Sequence, residues 1–125
     1  MANVLPMNPV TGLALGRIAI GIAALASPEL ATKVSRLDGA NNPQLSYMTR
    51  MFASREIALG AVTLVAKGTA RRKLVGLGIF VDGADAFAGY DAMRTGAVSN
   101  SVGIGLTIPA VGAAIAGGIA LATGR

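Results

Sequence analysis

The apolar positions of this chain fall into four long runs, with no alternation of hydrophobic and polar residues along any of them. The first run covers residues 10–26 and is interrupted only by Arg17. The second covers 51–66, with Arg55 and Glu56 near its start. The third covers 74–93 and holds Asp82, Asp85 and Asp91, whereas the fourth, 101–123, carries no charge. Runs of this length, rich in Ala and Leu and lacking a period of two, predict helices and not strands. A helix needs roughly 20 apolar residues to cross a bilayer, 17 to 25 being usual. The fourth run meets this outright, the first and third meet it with charges inside, and the second is short. The fold expected is all-α: one domain of four transmembrane helices in an up-down bundle.

The long segment between the first two runs, 27–50, has its own signals. Ser27, Pro28 and Glu29 stand in the order of a helix start: a capping hydroxyl, a preset φ, then an acid near the positive end of the dipole. Gly39 is the expected stop. Leu30, Val34 and Leu37 share one face and Lys33 and Arg36 flank it, which suits a short helix lying in the membrane interface. The alternative is that the first helix simply continues to Leu37. Asn41, Asn42 and Pro43 end the segment in either case.

Composition strengthens the membrane expectation. Of 125 residues, 53% are hydrophobic and 14% charged, and the mean hydropathy is +0.60. A soluble domain carries about 25% charged residues, so about half of the usual polar cover is missing. Disorder is excluded, because disordered chains are polar. With no Cys and no His, thiolate and imidazole chemistry, disulfides and most zinc sites are excluded. The net charge is +5, yet the basic residues are not set among aromatic or polar base-reading groups. A basic rim on a membrane protein is expected, and no nucleic acid. The excess of Arg over Lys beside abundant Ala, Gly and Val suits a GC-rich bacterial genome.

Arg17, the following apolar stretch and Ala24-Leu25-Ala26 imitate a signal peptide, but the first 16 residues contain no basic side chain. An uncleaved first span is therefore expected. Lys67, Arg71, Arg72 and Lys73 place four cations in seven residues with no acid among them. Lys33, Arg36, Arg50 and Arg94 on the opposite side are diluted by Glu29 and Asp38. The expected orientation puts this basic turn and both termini in the cytoplasm of a bacterial cell, with the protein multi-pass in the plasma membrane.

Arg17, Arg55, Glu56, Asp82 and Asp85 lie inside the runs. Each costs about 2.5 to 3.5 kcal/mol on insertion scales, so each is expected to face inward and pair. Arg55 is twelve residues before Lys67 and Asp85 twelve after Lys73. At a rise of about 1.5 Å per residue both lie roughly 18 Å from that side. The same measure from the other side puts Arg17 level with Asp82. The expected network pairs Arg17 with Asp82 and Arg55 with Asp85, Glu56 joining one arginine. It is either a clamp that orients three helices or a polar site for a proton, cation or amphipathic ligand.

Small residues form a second pattern. Ala110, Ala114, Gly118 and Ala122 recur every fourth position, and Gly12 and Gly16 form GxxxG. Such stripes allow close backbone approach, within the bundle or against another membrane protein. Pro109 removes a hydrogen-bond donor and predicts a kink near Gly105. Other motifs fail: Gly76-Leu-Gly78 and Gly103-Ile-Gly105 complete no nucleotide loop. Asp82 and Asp85 beside arginines lack the six to eight oxygens of a divalent-cation site. No metal or cofactor is expected.

Met51-Phe-Ala-Ser-Arg55-Glu56-Ile-Ala-Leu-Gly60, then Arg71-Arg72, then Val81-Asp82 and Asp85, resembles a family of small four-helix bacterial membrane proteins, actinobacterial in type, of unknown function. The resemblance spans about residues 10–122, with its specific part between Arg55 and Asp85. It implies the fold and brings no activity. The function expected is non-enzymatic: an accessory or assembly subunit of a larger membrane complex, its partners the bilayer and other membrane subunits or further copies. The alternative is an intramembrane polar site that binds or moves a proton, ion, quinone or lipid head group.

Overall fold

The computed structural model describes residues 8–123. Among them are five helices and no strand: α1 (Pro9–Ala26), α2 (Pro28–Val34), α3 (Gln44–Val65), α4 (Gly68–Arg94) and α5 (Asn100–Ala122). Local chemistry accounts for most boundaries. The Asn8 side chain accepts from the Val10 N–H at 2.8 Å and Pro9 opens α1 with its fixed φ. Ser27, at φ −140 and ψ 81, breaks the helix, and its hydroxyl accepts from the Leu30 N–H to start α2. The first helix therefore does not continue to Leu37. Ser99 caps α5 in the same way, accepting from the Val102 N–H.

The helices extend further than the apolar runs. α3 begins at Gln44, seven residues before the second run, and α4 begins at Gly68, six before the third. The expected basic turn is thus mostly the first turn of α4, and Arg71, Arg72 and Lys73 are helical. The corner itself is Ala66–Lys67, and Gly68 follows at φ +59 in the left-handed region where a Cβ is strained. Hydrophobicity marks where a helix is covered, and polar helical turns at its ends leave no such mark.

Gly39 does not end α2. The helix stops at Val34, and Arg36 takes the left-handed conformation at φ 63. Arg36 N–H donates to Lys33 O and Leu37 N–H donates to Thr32 O, the paired bonds of a Schellman ending. Gly39 instead packs its α-carbon against Thr32, whose Oγ1 would lie 2.9 Å from a Cβ placed there.

Two antiparallel pairs make up the bundle. α1 lies along α3, with Gly21 beside Ala53 and Ile57 and Gly60 beside Ala14 and Ile18. α4 lies along α5, with Gly89 beside Thr107, Gly103 beside Met93 and Gly117 beside Ile79. Contact between the pairs is much sparser. α1 and α4 run parallel across the joint, Val10 packing with Val75 and Ala120 at one end. Arg71 donates to Thr11 Oγ1 at 2.8 Å and Arg72 to Leu121 O at 3.2 Å. The start of α1, the α3–α4 corner and the end of α5 therefore share one end. α2 and the α4–α5 turn occupy the other end, where Arg36 Nη2 donates to Ser101 Oγ.

The distribution of side chains is inverted relative to a water-soluble bundle. The buried apolar residues are mostly small, namely Val10, Ala14, Ala24, Ala53, Leu59, Val75 and Ala120. Large apolar residues point outward, among them Ile20, Ile22, Phe80, Phe87, Ile108 and Ile115. α1 and α5 are each long and apolar enough to cross a membrane. α3 and α4 are not in that class, because Arg50, Arg55 and Glu56 interrupt α3 and Lys73, Asp82, Asp85 and Asp91 interrupt α4.

Candidate functional site: an ionic network through the bundle centre

Arg17 is drawn into the middle of the molecule by the seam on which it sits. The buried residues of α1 are Val10, Ala14, Arg17, Gly21 and Ala24, spaced four, three, four and three. That heptad-like spacing makes a stripe facing the other helices, and Arg17 is its centre. On α3 the equivalent positions include Ala53, Glu56, Leu59 and Thr63, and on α4 Val75, Gly78, Asp82 and Gly89. Each of the three seams therefore places one charge inside.

The guanidinium of Arg17 is the hub. Its Nη1 donates to Asp82 Oδ1 at 3.0 Å while Nη2 donates to Asp82 Oδ2, a two-pronged contact matching the planar fork to the carboxylate. Nη1 also donates to Glu56 Oε1 at 3.0 Å. Nη2 approaches Gly78 O at 3.5 Å, and a Cβ at Gly78 would stand 3.0 Å from Nη2. Gly78 is thus what lets the guanidinium lie against α4. Arg17, Glu56 and Asp82 are only 7%, 5% and 4% exposed.

Glu56 continues the chain outward, its Oε2 accepting from Arg55 at 3.3 Å through Nη2. Arg55 Nη2 donates in turn to Asp85 Oδ2 at 2.7 Å, and its guanidinium lies 5.2 Å from the Phe52 ring centroid. Arg55 and Asp85 have side chains 40% and 33% exposed, so this end of the network reaches the bundle's outer edge. Asp82, Arg17, Glu56, Arg55 and Asp85 form one continuous ladder of alternating charge. Glu56 joins both arginines, where one was expected. Of the two pairs between helix pairs, Arg17–Asp82 is sealed and Arg55–Asp85 is half open.

The buried end holds little space. A cavity of about 10 Å³ lies between Arg17, Asp82 and the apolar side chains toward Val10 and Val75, space on the order of a single water. No group of three His, Cys, Asp or Glu side chains that could hold a metal ion occurs among the described residues.

The small-residue stripes fall differently. Gly16 faces open space, and Gly21 makes the close approach of α1 to α3. Gly16 neighbours Arg17 and is turned about 100° from it, so once Arg17 points inward Gly16 cannot. Gly12 is half-buried. Ala110, Ala114 and Gly118 are half-buried and Ala122 is exposed, while Gly103, Gly117 and Ala120 are the buried residues of α5. A strict four-residue repeat drifts about 40° per step around a 3.6-residue helix, so the stripe leaves the contact seam. α5 runs as one helix through Pro109. The basic residues bind backbone and hydroxyl groups: Arg72 meets a carbonyl in the last turn of α5, where a cation suits the dipole. Lys67 and Lys73 are exposed.

Sequence reasoning missed Gly78, Gly21 and Gly60. Gly78 was legible in principle, since it lies one helical turn before Asp82 on the same face. Gly21 likewise lies one turn beyond Arg17. No family model, curated protein or solved structure matches the chain.

Proposed function

We propose that this protein is a four-crossing membrane protein whose α1, α3, α4 and α5 span the bilayer, and that it works without catalysis, as an accessory or assembly subunit of a larger membrane complex. The observation that carries this reading is the inversion of the fold: large apolar side chains outside, and a charged interior that leaves space on the order of one water. The tight centre offers a substrate no room beside the ladder, so contact falls to the outer surface. Exposed apolar area on this scale marks contact with lipid or protein. α3 and α4 become acceptable as crossings because their charges pair internally, which removes most of the cost of burying them. On α2, Leu30 and Val34 point outward and Pro28 and Thr32 inward, as suits a helix lying in the interface.

In this reading the ionic ladder is a clamp. It resembles the charged block of the small four-helix bacterial family, and a bacterial plasma membrane is the proposed location. The shared end of α1, α5 and the α3–α4 corner carries Arg71, Arg72 and Lys73 and is assigned to the cytoplasm. The chain has no cysteine, so Thr69→Cys and Ala40→Cys each supply a single thiol. A membrane-impermeant maleimide applied to intact cells is expected to label Ala40→Cys and spare Thr69→Cys.

Ile104, Ile108, Val111, Ile115 and Ile119 are all exposed on α5 and recur at helical spacing, making α5 the proposed contact face. The test is a photo-crosslinker at Ile115 in native membranes, followed by purification in mild detergent and mass spectrometry. A subunit gives one dominant heterologous partner; recovery only as monomer or homo-oligomer sinks this reading. The half-open Arg55–Asp85 pair favours a second reading, in which the outer end of the ladder receives a proton or a polar head group.

A further inference from the structure

A second cavity lies at the end away from the basic corner. It measures about 530 Å³ and is walled by the segment after α2, the first turn of α3 and the α4–α5 turn with the start of α5. It is a broad groove open to the surface, against a space of about 10 Å³ beside Arg17. Leu37, Leu45, Met48, Val98 and Val102 give it an apolar lining, and Arg36 and Asp38 place one cation and one anion two residues apart on the same wall.

Both charged groups are held in position. The left-handed backbone at Arg36 is what carries the side chain from the end of α2 toward Ser101. Asp38 Oδ1 accepts from the Asn41 N–H at 3.1 Å and Oδ2 from Asn41 Nδ2 at 2.9 Å. Those bonds hold its carboxyl below the ordinary carboxylate range, so it is charged at neutral pH and retains free lone pairs. A ligand matched to this cleft needs an anionic group for Arg36, a hydrogen-bonding cation for Asp38 and a hydrocarbon tail for the lining.

We propose that this cleft binds a zwitterionic aminophospholipid, its phosphate at Arg36, its primary ammonium at Asp38 and the start of an acyl chain along Leu45, Met48, Val98 and Val102. The inference rests on the membrane reading above, in which the helix ends that form the cleft stand at head-group level. An anionic lipid would set its charge against Asp38 with no ammonium to answer it. A quaternary ammonium lipid satisfies the charge but donates no N–H.

The test has two stages. Retention of the protein in membranes through an alkaline carbonate wash checks the membrane reading by itself, and release there overturns both. Native mass spectrometry follows, on detergent-solubilised protein with equimolar phosphatidylethanolamine, phosphatidylcholine and phosphatidylglycerol. The expected result is phosphatidylethanolamine retained about five-fold over phosphatidylglycerol, one favourable charge contact being worth about that factor. Asp38→Asn, at an exposed side chain, should bring phosphatidylethanolamine down to the phosphatidylcholine level. Arg36→Gly removes the guanidinium while relieving the left-handed backbone, and should lower retention of all three lipids. Equal retention of the three by the wild type, or an unchanged preference in Asp38→Asn, overturns the proposal while leaving the membrane reading intact.

Discussion

The two ways in which helices meet in this molecule make an instructive contrast. Within each pair, α1 with α3 and α4 with α5, glycine lets one backbone rest on another: a Cβ at Gly60 would stand 2.7 Å from Ala14 O, and one at Gly103 would stand 2.5 Å from Met93 Cβ. Between the pairs contact is sparse: beside the Val10–Val75–Ala120 cluster at one end, the centre of the joint is held by Arg17–Asp82 and Arg55–Asp85. Close packing needs no particular partner beyond a complementary shape. An ion pair needs one partner at one depth, so the charges choose which way the two pairs are mounted. This is the specificity use of buried charge, in which removing one partner is costly but replacing the whole set by apolar residues is not.

The largest expected effect comes from breaking that joint on one side only. Arg17→Ala leaves Glu56 and Asp82 buried without their shared cation and should cost about 3–5 kcal/mol, read by denaturant unfolding in detergent. Combining Arg17→Met, Glu56→Leu and Asp82→Leu should restore stability to the wild-type level or raise it by about 1–4 kcal/mol. If the triple variant is as unstable as Arg17→Ala, the clamp account of the ladder fails. If it folds but loses partner crosslinking at Ile115, the ladder does more than orient helices.

The glycine seams come next. Gly60→Ala pushes a methyl against the rigid Ala14 carbonyl and should cost about 1–3 kcal/mol. Gly16→Ala meets open space and should be neutral or stabilising by up to about 1 kcal/mol, since alanine is the better helix former. The pair of thermal melts discriminates a packed glycine from a merely apolar one, and equal effects would erase the distinction.

A smaller change tests the open end of the ladder. Asp85→Asn keeps a hydrogen-bond acceptor for Arg55 at a half-exposed site, so a loss of about 0.2–1 kcal/mol is expected, the range for an ion pair open to its surroundings. A loss as large as that of Arg17→Ala would mean that both ends of the ladder bear equally on the joint.

The smallest effect is one of pH. The Asp38 carboxyl titrates below its ordinary value because the Asn41 side chain and backbone donate to it. A depressed folded value means that the contribution is present above the ordinary carboxylate range and is lost as the pH falls through the folded value. Hydrogen exchange at Asn41 should therefore quicken, beyond its intrinsic pH dependence, on acidification toward the Asp38 pKa. Asp38→Asn should abolish that excess.

Much of this was legible along the chain. The helical class, the cap at Ser27, the acidic and basic residues destined to pair and their common depth all follow from local rules: apolar run length, capping chemistry and a rise of 1.5 Å per residue. What escaped was rotation. A four-residue repeat through Ala110, Ala114, Gly118 and Ala122 looks like a seam, yet it stays half-buried and reaches the surface at Ala122, and Gly16 sits beside a residue that must face inward. The basic turn escaped for a related reason, since Arg71, Arg72 and Lys73 look like loop in hydropathy and are helical in fact.

By itself the sequence determined that this chain is helical, short of polar cover, without nucleophilic thiol or imidazole, and burdened with five charges that must find one another. Those properties depend on composition and spacing, which a linear chain carries in full. The tertiary structure decided which faces meet: that Arg17 serves both Asp82 and Glu56, that Gly78 makes room for it, and that Arg36 and Asp38 line one open cleft. These depend on the angle at which each helix is mounted against its neighbours. Only simultaneous packing of all the helices sets that angle.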